Sequence, residues 1–282
     1  MLKSRLKTQV RIGKICYVNC LPFYHRLKLS DDMVPEYHET YPSKLNLAMR
    51  LGKIDIAPIS SLEYLQRQKD YLLLPDLCIG SRDFSGSVLL FSKERIEGLN
   101  KVSISLTRQS LSSAALIKIL LKFKYKFKNR FVISGLDPDT ALQKNPAALL
   151  IGDEALFYQP REFVYKYDLS ELWWNWTEEP FCFSVWAVRR EFARQNPDAV
   201  SVIARKLSEN LEKNLMDIES LIRDAMGLSF LDVRFSKIFG YLFNLHYRLD
   251  HPMREGLELF YRLAKRAGLS PQPAPLEFFK AS

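Results

Sequence analysis

Ile54-Asp55-Ile56-Ala57-Pro58-Ile59-Ser60-Ser61-Leu62-Glu63-Tyr64 is the stretch whose reading decides the fold. Ile54 to Ile59 is short and apolar, the pattern of a strand buried on both faces. Ser60 and Ser61 follow at once, and their hydroxyls are placed to cap a helix that carries Glu63 in its first turn. A buried strand that runs straight into a capped helix is half of a βαβ unit.

The same order recurs along the chain. Val10 to Cys16 and Val34 to Thr40 read as strands. Pro42 stands where a first-turn proline belongs, and Leu45, Ala48 and Met49 keep helical spacing up to Gly52. Ser87 to Phe91 reads as a strand, and so does Val102 to Leu106, which leads through a hydroxyl-rich turn into a helix from about Ser112. Phe131 to Ser134 and Ala147 to Ile151 are strands with a helix from near Asp137 between them, and Gly152-Asp153 turns the chain into another helix. This rhythm rises twice, before and after residue 92, and predicts parallel sheets covered by helices.

A third region begins at Leu172. Phe181 to Val188 is a strongly apolar strand, and the chain after Arg189 reads as helical. Val200, Ile203, Leu207, Leu211, Leu215 and Ile218 predict one long amphipathic helix. Pro252 opens a last helix with Leu257, Phe260, Tyr261 and Ala264 inward, ending at Gly268. The expected architecture is α/β and two-lobed. Residues 1–92 and 174–282 form lobe one, with the helical C-terminal region, and residues 93–173 form lobe two. Two crossings between lobes make a hinge, and a ligand sits in the cleft between them. The first ten residues read as a loose tail.

Composition narrows the function. The formal net charge is +9. The basic residues cluster from Lys3 to Lys14 and from Lys118 to Arg130, the latter on a predicted helix whose charged face reads as solvated. No nucleic-acid motif accompanies them, so nucleic acid is not an expected partner. A general positive field instead attracts small anions. Cys16, Cys20, Cys78 and Cys182 form no CxxC pair, so no zinc site is expected, and they fit a reducing compartment. The N-terminus lacks an apolar core of the secretory kind, and no run of about 18 apolar residues offers a membrane span. A cytoplasmic protein is expected. There is no GxGxxG, GxxxxGK, HExxH or GxSxG, so nucleotide, zinc-protease and serine-hydrolase chemistry have no support. His38 reads as an edge residue, and His246 and His251 lie in the helical tail. His25 follows a candidate site turn, but a structural or solvent-facing ring is the stronger reading.

Open α/β sheets bind ligands beyond the carboxyl ends of their strands. The turns there are Val18-Asn19-Cys20-Leu21-Pro22, Pro58 to Ser61, Thr107-Arg108-Gln109-Ser110-Leu111-Ser112-Ser113 and Gly152-Asp153, and Ser85-Gly86-Ser87 precedes the crossing strand. They offer hydroxyls, an amide and helix N-terminal amides, which hold carboxylates with few formal charges. The residues by themselves reach a small-anion binder, either enzyme or receptor.

Six segments carry a more specific signal. Asn19-Cys20-Leu21-Pro22, Asp55 to Tyr64, Leu73 to Leu77, Ser87 to Ser92, Leu149 to Leu156, and Pro180-Phe181 with Val185 to Arg190 resemble, in order, the chorismate dehydratases of the futalosine route to menaquinone. The resemblance runs from about residue 11 to residue 270. It implies a fold like a periplasmic binding protein and loss of water from chorismate to give 3-[(1-carboxyvinyl)oxy]benzoate. It implies no cofactor, because aromatisation drives the reaction. The ring C3 loses a proton and C4 loses its hydroxyl, with the enolpyruvyl carboxylate of the substrate as a base.

By the same resemblance Asn19 and Ser87 are the catalytic positions. Ser60, Ser61, Gly86, Thr107, Ser110, Ser112, Ser113 and Asp153 are expected at the substrate. Ser110, Ser112 and Ser113 would hold a carboxylate, cap a helix, or both. Asp153 is expected to orient a donor. Arg108 either adds a charge-assisted contact or faces solvent. Glu178 stands where the family usually has glycine, which bears on the backbone of that loop. Two rivals share the expected fold. One is the sister enzyme 1,4-dihydroxy-6-naphthoate synthase, against which the Asn19 and Pro58-to-Tyr64 segments argue. The other is a non-catalytic solute-binding protein.

Overall fold

Two neighbouring strands end at Ile15 and Ser60, both of which line one cavity, and the turns that follow them carry the site. The computed structural model describes residues 7–135, 137–162 and 164–280. In chain order its elements begin with β1 (Thr8–Ile15), α1 (Leu21–Tyr24), β2 (Met33–Thr40), α2 (Pro42–Arg50), β3 (Ile56–Ser60), α3 (Ser61–Gln66) and β4 (Tyr71–Ser81). The middle of the chain holds β5 (Val88–Ser92), β6 (Ser103–Thr107), α4 (Leu111–Ile119), β7 (Arg130–Ser134), α5 (Pro138–Lys144), β8 (Ala147–Ile151), α6 (Gly152–Phe157) and β9 (Tyr165–Asp168). It ends with α7 (Leu169–Thr177), β10 (Phe181–Arg189), α8 (Arg190–Gln195), α9 (Pro197–Met216), α10 (Ile218–Met226), α11 (Val233–Asn244), β11 (Leu245–His246) and α12 (His251–Ala267).

Among the described residues the strands make two sheets, ordered β11-β4-β10-β3-β1-β2 and β7-β6-β8-β5-β9. The expectation of parallel sheets holds only in part. β1, β2 and β3 run parallel, as do β6, β7 and β8, but β10 is antiparallel to β3 and β4, and β5 is antiparallel to β8 and β9. The crossing strands cause this, because each enters its sheet from the opposite lobe. β3 pairs with β1 only through Ile12 and Ile56, so Pro58 sits where the ladder to β1 has ended and its missing N–H costs nothing there.

Three sequence boundaries shift. The chain leaves the first sheet after β4 and returns at β10, so Val88–Ser92 belongs to the second sheet rather than to the first, where a lobe boundary at residue 92 had put it. The single helix expected from Val200 to Ile218 is two. The backbone breaks at Asp217, whose carboxylate accepts the Ser220 N–H and starts α10. Thr8 to Val10 lie in β1 rather than in a tail, and Lys3 lies outside the described residues.

The two sheets share a core. α4 follows β6 of the second sheet, yet it packs against α3, α12 and β10 of the first. Its Leu116, Ile117 and Ile119 are fully buried. Around Asp55 the first sheet is also braced by charge. Its buried carboxylate accepts from Arg11 at 2.6 Å and from Arg189 at 2.8 Å, and the two guanidiniums hold it below the usual carboxylate range against the cost of burial.

α12 is seated tightly on the loop before β10. A methyl group on Gly256 would lie 2.0 Å from the Pro180 carbonyl oxygen, whereas one on Gly240 in α11 would meet nothing within 4 Å. Gly256→Ala is expected to lower stability by about 1–3 kcal/mol or more, a fall of several degrees in melting temperature. Gly240→Ala should hold or raise it. Thermal unfolding of the pair checks this, and equal melting temperatures would contradict the tight seating.

Candidate active site

Four turns converge between the sheets. The first follows β1. Val18–Cys20 makes one tight 3-10 turn, and Pro22 falls in the first turn of α1, where its lack of an N–H is harmless. The backbone here is gripped from both lobes. From α9, Asn214 Nδ2 donates to the Pro22 carbonyl at 2.9 Å and Asn210 Nδ2 to the Phe23 carbonyl at 3.0 Å. From α6, the Asp153 carboxylate accepts the Val18 N–H at 3.1 and 3.3 Å. Burial pushes the Asp153 carboxyl above its ordinary value, and that N–H partly offsets the shift. Asn19 sits at the centre of this turn.

The second turn precedes β5. Gly86 has φ 69°, a left-handed conformation that glycine adopts without strain. The buried Asp168 carboxylate accepts the N–H groups of Ser85 at 3.1 Å, Gly86 at 2.7 Å and Ser170 at 2.8 Å, and the Ser85 hydroxyl at 3.0 Å. It therefore bolts the outward crossing to the return crossing. Burial raises the Asp168 carboxyl, and these donors pull it back without cancelling the rise. The bolted turn presents Ser87.

The third and fourth turns meet each other. Ser61 Oγ donates to the Cys182 carbonyl at 2.8 Å, so in its 2.9 Å contact with Ser112 Oγ it accepts. Ser112 has then spent its one proton, so Ser60 Oγ is the donor in the 2.6 Å bond to Ser112 Oγ. The Leu62 N–H also donates to Ser112 Oγ at 3.2 Å, and the Ser112 N–H donates to Ser60 Oγ at 3.1 Å. The result is a one-way relay, Ser60 to Ser112 to Ser61 to the Cys182 carbonyl. Beside it Ser110 caps α4 by accepting the Ser113 N–H at 3.2 Å.

These turns enclose a cleft with about 510 Å³ of space, mouth included. Its polar lining is Tyr17, Asn19, Ser60, Ser87, Ser110, Ser113 and Ser184. Its apolar lining includes Ile15, Ile79, Val88, Ile151, Phe183 and Leu245. Among the described residues no charged side chain lines it. Tyr17 lies flat on Gly152, where any Cβ would come within 2.8 Å of the ring, and its hydroxyl bonds the Gln109 side chain across the lobes.

The sequence-predicted residues separate accordingly. Asn19, Ser87, Ser60, Ser110 and Ser113 share the cleft. Gly86 and Asp153 stand behind it and hold the turns. Ser61 and Ser112 are closed into the relay, fully buried, and line no part of the cleft. Thr107 and Arg108 lie elsewhere, in a separate crevice with Ser105, Ser134 and Glu154 at the ends of β6, β7 and β8. His25 points away, its carbonyl held by Asn210 and Asn214 and its ring 3.9 Å from Asp224. Glu178 ends α7 at φ 60°, so it keeps the left-handed backbone that glycine would take more freely.

Four residues escaped the sequence reading: Tyr17, Phe183, Ser184 and Tyr241. Phe183 and Ser184 reach the cleft because the β10 register slips between Cys182 and Ser184, a bulge that re-aims both. Ser184, the one hydroxyl in an apolar strand, was a visible signal. Tyr241 comes from α11, and nothing in the sequence marks it.

The chain matches the family model described as menaquinone biosynthesis over residues 10–266. It belongs to that menaquinone biosynthesis family. A curated relative from Thermus thermophilus, named chorismate dehydratase, is 31% identical over 270 residues, covering 88% of this chain and 93% of the relative. Solved structures share the fold at much lower identity. A protein of Archaeoglobus fulgidus aligns with a TM-score of 0.69 at 17% identity, over 93% of this chain and 98% of its own. The periplasmic aliphatic sulphonate binding protein SsuA of Escherichia coli aligns with a TM-score of 0.63 at 13% identity, over 95% of each chain. The family member described here thus has a periplasmic-binding-protein-like fold, as expected from its sequence.

The relay and the cleft make opposite demands on adjacent serines. Ser112→Ala strands the Leu62 N–H and the Ser60 hydroxyl, both buried, and is expected to cost about 1–3 kcal/mol. Ser113→Ala, facing the cleft, should cost well under half of that. Urea unfolding of the two variants separates them, and equal losses would argue against the proton order given above.

Proposed function

We propose that this protein is a chorismate dehydratase, removing water from chorismate to give 3-[(1-carboxyvinyl)oxy]benzoate. The observation that carries the reading is that Asn19 and Ser87, from two turns 68 residues apart in sequence (87 minus 19), line one cleft without a charged side chain, in a chain of the menaquinone biosynthesis family. The curated relative of that name spans most of the chain and supports it.

The chemistry suits the lining. Chorismate is a dianion with an apolar ring. Ile79, Val88, Ile151 and Leu245 offer the ring a dry surface. The start of α4, with Ser110 and Ser113, offers a carboxylate the helix N-terminal field and one uncommitted hydroxyl proton on Ser113. Ser60 serves as wall and acceptor, since its proton enters the relay. The C3 proton passes to the enolpyruvyl carboxylate of the substrate itself, the C4 hydroxyl leaves, and the ring becomes aromatic, which balances as loss of one water. Asn19 and Ser87 donate to the leaving hydroxyl and to charge that develops in the transition state. The nearby Asp153 carboxylate is occupied by the Val18 N–H, so it orients Asn19 rather than taking the proton. Four unpaired thiols fit a reducing, cytoplasmic setting. The positive net charge favours capture of a dianion.

Incubation of the purified protein with chorismate tests the reading. Mass spectrometry should show loss of one water with rise of an aromatic ultraviolet band. Asn19→Ala and Ser87→Ala should each lower kcat/KM by about ten- to a thousandfold, as loss of one preorganised donor does. Chorismate binding without product after long incubation would favour a solute-binding protein instead. Wild-type turnover in both variants would remove the site assignment.

A further inference from the structure

Two polar atoms buried beside the cleft have no hydrogen-bond partner, and they belong to neighbouring side chains. One is Asn19 Oδ1 and the other is the Tyr241 hydroxyl. Tyr241 lies on α11, which packs on the Val18–Cys20 turn, and its residue is only 4% exposed. The groups that act on its hydroxyl include the Ser87 hydroxyl and the Asn19 amide, close enough to interact with it but outside hydrogen-bond geometry, and the Asp153 carboxylate and Cys20 thiol are also within electrostatic reach. Its ring leans toward the bare Cα of Gly86, where a Cβ would lie 3.8 Å from Tyr241 Cδ2. Buried phenol hydroxyls rarely go unpaired, because leaving one so forfeits its hydration for nothing.

We infer that Tyr241 is a positioning residue that aligns Asn19 and Ser87 with each other, its hydroxyl set behind both. This rests on the dehydratase reading and deepens it. A phenol hydroxyl donates one hydrogen bond and accepts up to two. Donation to Asn19 Oδ1 turns the amide NH₂ toward the cleft, and acceptance from Ser87 sets that hydroxyl beside it. Burial holds the phenol well above its ordinary pKa, so the donor proton stays in place at neutral pH. Tyr241 is not part of the cleft wall, so it acts through Asn19 and Ser87 and not on substrate. Small adjustments on substrate binding bring the three groups into hydrogen-bond geometry, as catalytic contacts tighten from a looser resting state.

Tyr241→Phe keeps the ring and deletes only the hydroxyl. It is expected to lower kcat about ten- to a hundredfold, with KM within about threefold and an unchanged or higher melting temperature. In a Ser87→Ala background the same change should cost less than half as much on a logarithmic scale, since its partner is gone. Tyr247, another buried phenol without a partner, supplies the comparison, and Tyr247→Phe should keep kcat within about twofold. Wild-type kcat in Tyr241→Phe overturns the inference and leaves the dehydratase reading standing. So does an equal loss in both backgrounds, or an equal loss in Tyr247→Phe. A wild-type protein inert toward chorismate overturns the dehydratase reading itself, and this inference with it.

Discussion

The proton of Ser112 can go to only one acceptor, and that constraint orders the junction between the sheets. Because Ser61 is bound to donate to the Cys182 carbonyl, Ser112 must donate to Ser61 and Ser60 must donate to Ser112. The relay joins the end of β3, the start of α4 and the first residues of β10. It thereby fixes the amino end of α4 relative to the first sheet, and α4 buries its Leu and Ile face across the same junction. Hydroxyl bonds and apolar packing reinforce each other here, since the packing excludes the water that would otherwise compete for the serines.

With that junction set, two carboxylates place the remaining donors. Asp153 and Asp168 both sit close to a cleft read here as a dianion site, which at first looks repulsive. Each is turned away from the cleft and spends its charge on backbone amides, Val18 in one case and Ser85, Gly86 and Ser170 in the other. The raised carboxyl values show that these amides do not fully replace water. That unfavourable term is the cost of rigid turns. The cleft gains donors whose positions no longer depend on loop entropy, the condition for preorganised electrostatics.

The βαβ rhythm was legible because buried strands and capped helices have different periods, and Ile54 to Tyr64 shows both within eleven residues. The turns that carry Asn19 and Ser113 were legible from the same strands, since ligands gather at their carboxyl ends, and Ser87 from its place just before the crossing strand. The antiparallel crossings were not, because strand direction is set by which lobe the chain comes from, and no local pattern encodes that. Ser61 and Ser112 were read as substrate contacts because a hydroxyl looks alike in sequence whether its proton is free or committed. Thr107 and Arg108 share a turn with Ser110, yet they line a crevice at the ends of β6, β7 and β8 and not the cleft, a difference of wall within one turn that the sequence does not encode. The bulge at Phe183 and the reach of Tyr241 depend on contacts between segments far apart in sequence, where periodicity carries no information.

The likeness to a sulphonate-binding protein is one of fold alone. A cleft that holds an anion with neutral hydroxyls already has donors near its charge. In the mechanism proposed above chorismate brings its own base and its own driving force, so the protein need supply only orientation and a group to meet the departing hydroxyl. A cationic lining would bind the dianion more tightly in its ground state, and so would gain affinity rather than rate. In the dehydratase reading proposed above, donors held on fixed turns, the Asn19 amide and the Ser87 hydroxyl, favour the transition state instead. The lack of charge in the lining is therefore part of the catalytic argument, and the polar groups held behind Asn19 and Ser87 matter as much as those in front of them.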